Sequence, residues 1–130
     1  MNPQDASQAY LTATVENAPP IQIIRLLYQG ALRFLGQAEH HPDGIGSPAV
    51  AQLIRQAADI VIELRLALDF DAVEDKAVPS NLERLYLFCE DELFRAELEK
   101  TFEPVKNVRN VLEVLLDAWR QIELDGSQAA

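Results

Sequence analysis

Val105-Lys106-Asn107-Val108-Arg109-Asn110-Val111-Leu112-Glu113-Val114-Leu115-Leu116-Asp117-Ala118-Trp119-Arg120-Gln121-Ile122 is the stretch that decides the fold. Val105, Val108, Leu112, Leu115, Trp119 and Ile122 recur in alternating steps of three and four. On a helix of about 3.6 residues per turn those steps line up along one side, the seam of a helical bundle. Phe102-Glu103-Pro104 is the break that precedes it.

Towards the N-terminus the same period returns three times. Ser80-Asn81-Leu82-Glu83 has the S-x-x-E spacing of a capping box, in which each side chain accepts a backbone N–H of the other residue. It predicts a helix opening at Ser80 and carrying Leu82, Leu85, Tyr86, Cys89, Leu93 and Ala96 on its inner side. Ser47-Pro48 pairs an N-cap residue with proline at the first helical position. Val50, Leu53, Ile54, Ala57, Ile60, Val61, Leu64 and Leu68 form the stripe that follows, ending near Asp69. A first helix is predicted from about Pro20 to Ala38, with Ile24, Leu27, Ala31, Phe34, Leu35 and Ala38 on one side. His40-His41-Pro42-Asp43-Gly44-Ile45-Gly46 then breaks it.

No stretch alternates as a half-buried strand does, so the fold class is all-α. Short connections favour antiparallel neighbours, and the simplest assembly is an up-down four-helix bundle. Only Phe70 to Pro79 is long enough to reach across an end of it. The expected organisation is an extended arm over residues 1–19, a bundle over 20–125 and a tail over 126–130. The arm reads equally well as a disordered terminus and as a segment that lays Tyr10, Leu11 and Val15 into a groove of the bundle. Asn17-Ala18-Pro19-Pro20 imposes an extended approach in either case.

Gly30 lies inside the helical run Ile23 to Leu35, although glycine costs a helix interior roughly 1 kcal/mol against alanine. Close approach of a neighbouring helix or of a bound partner accounts for a missing side chain there. The apolar set also exceeds a single seam: Leu26; Ile62 and Leu66; Leu87, Phe88 and Phe94; Val111, Val114 and Leu116. A helix between two neighbours needs a wide stripe, and whatever part of this set stays exposed would form a groove for an amphipathic helix.

Composition removes several function classes. The 130 residues carry 48% hydrophobic content, enough for one core, and 21 acidic against 11 basic residues, a net charge of −10. That charge repels nucleic acid, and no Lys/Arg cluster offsets it. No apolar stretch approaches the roughly 20 residues of a bilayer helix, and Met1-Asn2-Pro3-Gln4-Asp5 lacks the start of a signal peptide, so a cytoplasmic protein without membrane insertion is expected. Cys89, the one cysteine, reads as a small buried hydrophobe. His40 and His41 sit together in a loop without the Glu-x-x-His pairs of a di-metal bundle, and no phosphate loop, G-x-S-x-G or H-E-x-x-H occurs. No metal, no cofactor and no enzymatic activity are expected.

The residues resemble the flagellar secretion chaperones of the FliS type. Tyr10, Val15, Ala18, Pro20, Ile23, Ile24, Leu26, Leu27, Tyr28, Gly30, Ala31, Leu32 and Phe34 match the family's opening tyrosine and first helix or are close substitutes. Ile60-Val61-Ile62-Glu63-Leu64 with Leu68-Asp69, then Asn81-Leu82, Leu85-Tyr86 and Phe88, then Val111-Leu112, Leu115 and Ala118-Trp119 resemble its later helices. Gln29 stands where the family has an aspartate, Asn17 and Pro19 replace a threonine and a serine, and Glu97 stands where asparagine is common. The resemblance implies a cytoplasmic chaperone, working without ATP, that binds the C-terminal helical region of flagellin, prevents premature polymerisation and keeps the subunit ready for export. It further implies client contacts at Ile23, Leu27, Tyr28, Gly30, Leu85, Tyr86 and Phe88, with the arm residues Tyr10, Leu11 and Val15 lying over the groove and aiding docking to the export gate. The alternative is a self-associating helical module, such as a homodimer, with a different partner.

Overall fold

The computed structural model describes residues 21–72 and 74–129; the arm with Tyr10, Leu11 and Val15, and the helix start at Pro20, lie outside the described residues. The chain forms α1 (Ile21–Glu39), α2 (Pro48–Leu66), a 3-10 turn (Phe70–Ala72), α3 (Ala77–Glu99) and α4 (Glu103–Ala129). Among the described residues there is no strand. Each helix packs on its neighbour in the chain, and α4 closes the ring against α1.

Ion pairs fix the directions. Arg25 Nε lies 3.2 Å from Glu123 and Arg109 Nη1 lies 2.9 Å from Glu39, joining the start of α1 to the end of α4 and the end of α1 to its start. Arg55 with Glu97 and Arg65 with Glu90 do the same for α2 and α3. Both pairs of helices are therefore antiparallel, as the seam and the short connections require. Along that seam Val105, Val108, Leu112, Leu115 and Trp119 are buried and Ile122 is partly so. Each such side chain contributes about 1.5–3 kcal/mol by leaving water.

The helix ends differ from the sequence pattern where side chains outside the apolar stripe intervene. Ser47 caps α2 as expected, its Oγ accepting the Val50 N–H at 3.2 Å. That helix stops at Leu66, short of Asp69, because Leu68 N–H turns back to the Arg65 carbonyl and the Asp69 carboxylate accepts the Asp71 N–H. The capping box at Ser80 is not formed. Asp75 accepts the Ala77 N–H through its side chain and the Val78 N–H through its carbonyl, so α3 opens three residues earlier and Ser80 N–H is already bonded to the Lys76 carbonyl. Pro79 fits there because the first helical turn has no use for its missing N–H.

Lys100 ends α3 in the left-handed conformation (φ 54°), with Thr101 N–H closing on the Ala96 carbonyl, so only three residues separate α3 from α4. Glu103 and Pro104 then belong to the first turn of α4 instead of preceding it. At the other end the backbone stays helical to Ala129, so 126–129 continue α4 and do not form a separate tail. A lone glycine such as Gly126 lowers helical propensity by about 1 kcal/mol without forcing a stop.

Gly30 is buried on α1 facing α2. A Cβ built there would meet Ile60 Cδ1 at 3.4 Å, the limit of ordinary contact. The missing side chain thus serves the approach of α2. Cys89 is fully buried, and loss of solvation pushes its thiol up to about 12.

Candidate functional site

Where α2 ends, the surface between α1 and α2 opens into an apolar pocket of about 210 Å³. Ile23, Ile24 and Leu27 line it from α1 and Leu64, Ala67 and Leu68 from the end of α2. Tyr86 of α3 and Trp119 of α4, both nearly fully buried, reach it from below, and the exposed Glu63 stands at its edge. The early stop of α2 is what makes the opening. Leu68 still packs against the core, but the chain turns off at Ala67, and among the described residues α2 carries no further turn over the α1 wall.

Behind the pocket lies a buried polar cluster. Tyr28 Oη and Tyr86 Oη are 2.5 Å apart, and the Tyr28 ring is tilted 49° to Trp119 with centroids 6.3 Å apart. Burial drives the Tyr28 phenol well above its usual range, since nothing there stabilises a phenolate enough to replace water. The Trp119 indole N–H lies close enough to act on the Tyr28 hydroxyl, but no aligned hydrogen bond closes on it. This cluster fixes the three helices under the pocket. It has no nucleophile or base with access to solvent.

The residues assigned to client contact divide between surface and core. Ile23 is 49% exposed and Leu27 half-buried, and the two stand together in the pocket with Tyr86 beneath them. Tyr28 and Gly30, expected among the client contacts, are buried within the bundle, because both α2 and α4 press on the inner face of α1. Leu85 is half-buried and Phe88 exposed, both on α3 outside the pocket lining. Leu87, Phe94 and Leu98 form an exposed ridge along α3, while Leu116, counted with the surplus, is buried. Ile24, Glu63, Leu64, Ala67, Leu68 and Trp119 line the pocket without having been site candidates. Leu64, Leu68 and Trp119 satisfy the core pattern completely, and only the end of α2 turns their edges outward.

His40 and His41 serve their own loop. His40 Nδ1 lies 2.8 Å from the Gly36 carbonyl, and His41 Nδ1 accepts the Asp43 N–H at 3.1 Å. Among the described residues no group of three or more His, Cys, Asp or Glu could hold a metal ion, and no helix is long and apolar enough to cross a membrane.

A bundle of this order, with its apolar pocket and its Tyr-x-Gly-Ala-Leu segment, has known relatives. The family model described as flagellar protein FliS matches residues 2–126. The chain belongs to the FliS family. Three relatives are described as flagellar secretion chaperones. The flagellar secretion chaperone FliS of Salmonella typhimurium is 26% identical over 116 residues, covering 89% of this chain and 85% of the relative. That of Campylobacter jejuni is 30% identical over 103 residues, covering 79% of each. Flagellar secretion chaperone FliSB of Pseudomonas aeruginosa is 31% identical over 112 residues, covering 86% of this chain and 87% of the relative.

Two departures from the FliS pattern now have surroundings. Gln29, in place of a carboxylate, accepts a long 3.5 Å hydrogen bond from Arg25, whose stronger partner is Glu123. Glu97, in place of an amide, brings Oε1 to 3.3 Å from Arg55 Nε, an ion pair without hydrogen-bond alignment. Asn17 and Pro19 lie outside the described residues.

Proposed function

We propose that this FliS-family chain is a cytoplasmic export chaperone whose client is the C-terminal helical region of flagellin. The observation that carries this reading is the pocket between α1 and α2, open among the described residues, an apolar recess with exposed Ile23 at its lip. The exposed Phe88 and Val114, and the ridge Leu87, Phe94 and Leu98, give a long client further apolar surface around the bundle. A client segment unfolded alone would order on these surfaces, its ordering offsetting part of the gross interaction energy. Holding the polymerising segment in this way keeps it from other subunits and available for export. Tyr10, Leu11 and Val15 of the arm belong to the same proposal, as a cover for the pocket and a contact for the export gate. The family role is that of a chaperone, and no reaction is assigned.

The test is complex formation with freshly unfolded flagellin from the same organism, followed by size exclusion at micromolar concentration and moderate salt. A one-to-one complex is expected, weakened at least tenfold by Ile23→Asp, which alters an exposed position and leaves the helical spectrum unchanged. No complex with the wild-type chain would overturn the reading. A stable homodimer that excludes flagellin would favour the self-associating module instead.

A further inference from the structure

We infer that the α1–α2 groove selects helical segments with Lys or Arg beside their apolar face, one turn apart, and that Glu63 and Asp59 receive them. The inference rests on the reading of this groove as a client site and specifies the chemistry of the client. Glu63 lines the pocket, is exposed and has no ion-pair partner among the described residues. Asp59, one turn earlier on α2, is likewise exposed and without an ion-pair partner among the described residues.

Three of the cations on nearby elements are engaged elsewhere. Arg65 is held on the far side of α2 by two hydrogen bonds to Glu90, Arg25 turns to Glu123 on α4, and the Arg33 guanidinium sits 5.5 Å over the Phe34 ring. The facing side of α1 presents Ile23 and Leu27, which are neutral. The C-terminal end of α2 and the N-terminal end of α1 meet at the pocket with opposite dipoles that offset one another, so the Glu63 carboxylate sets the local sign. A net charge of −10 adds a long-range preference of the same kind.

Spacing gives the selectivity its form. Ile23 and Leu27 on one wall are four residues apart, and so are Glu63 on the other and Asp59, one turn further along α2 beyond the pocket, a rise of about 6 Å. A client helix laid along the groove meets an apolar row and an acidic row with the same repeat. A neutral or acidic flank leaves the two carboxylates without a partner or repelled.

The test uses two synthetic amphipathic peptides of about 18 residues, identical except for Lys or Gln at two flank positions four apart. Binding to the full chain is followed by calorimetry and by the fluorescence of Trp119, the one tryptophan, which lines the pocket. The Lys peptide should bind about five- to tenfold tighter at low salt, as two partly exposed ion pairs allow. The preference should vanish in the Asp59→Asn/Glu63→Gln double variant and shrink in 0.5 M salt. Ile23→Asp should weaken both peptides. Equal binding of the two peptides, binding of neither, or a preference that survives the double variant would overturn the inference. Peptide preference retained without flagellin binding supports it while sinking the flagellin reading; flagellin binding without peptide preference does the reverse.

Discussion

Removing one hydroxyl from the Tyr28–Tyr86 pair tests whether that buried contact holds the floor of the groove. The oxygens are 2.5 Å apart and both residues are almost inaccessible to solvent. Tyr86→Phe leaves the Tyr28 hydroxyl beside the Trp119 indole, and an indole N–H can only donate, so the Tyr28 proton loses its acceptor. A buried group stranded in this way costs about 1–3 kcal/mol. Tyr28→Phe should cost less, about 0.5–1.5 kcal/mol, since Tyr86 has an interaction besides the one with Tyr28. The double variant strands nothing, so it should be at least about 1 kcal/mol less damaging than the sum of the singles. Urea unfolding followed by Trp119 fluorescence and far-ultraviolet dichroism reads all three, with unchanged slopes and midpoints displaced in that order. Additive effects, or a Tyr86→Phe variant within about 0.3 kcal/mol of wild type, would refute the reasoning and reduce the pair to incidental contact.

Four further outcomes follow from the same structure. The Cys89 and Tyr28 side chains both ionise less readily folded than unfolded, from reference values of 9.0 and 10.0, so they leave stability unchanged below about pH 9. Above it the unfolded chain sheds protons first, and unfolding titrations should show a loss of about 1.4 kcal/mol per pH unit for each group, with Cys89→Ala delaying the onset by about one pH unit. Gly36→Ala should raise stability by about 0.5–1 kcal/mol in thermal unfolding, because a Cβ there meets nothing within 4 Å. Gly30→Leu should instead lower it by about 1–3 kcal/mol, Ile60 leaving room for little beyond a methyl. Lys100→Gly should stabilise by about 1 kcal/mol, relieving the left-handed conformation at the end of α3.

Periodicity alone determined the four helices, their seam and the cap at Ser47, since each depends on spacing within about one turn or on a side chain bonding its own backbone. The family resemblance was legible for the same reason: its residues lie in short runs, from Tyr28-Gln29-Gly30-Ala31-Leu32 to Ala118-Trp119. Helix ends were less legible. Asp75 starts α3 before Ser80 can, a choice between two local caps that spacing does not rank.

The candidate site depended on tertiary structure for its essential division. Ile23 and Tyr28 sit five residues apart on one helix, and both read as apolar contacts; one stands at the lip of a pocket and the other is sealed beneath it. A helical stripe gives the direction a side chain points along its own axis, but burial depends on which helices stand opposite and where they stop. Here α2 stops at Leu66, and that single end exposes Leu27, Ala67 and the edge of Trp119 while α4 covers Tyr28. Glu63 became a site residue by the same event, through a position relative to α1 that no spacing on α2 contains.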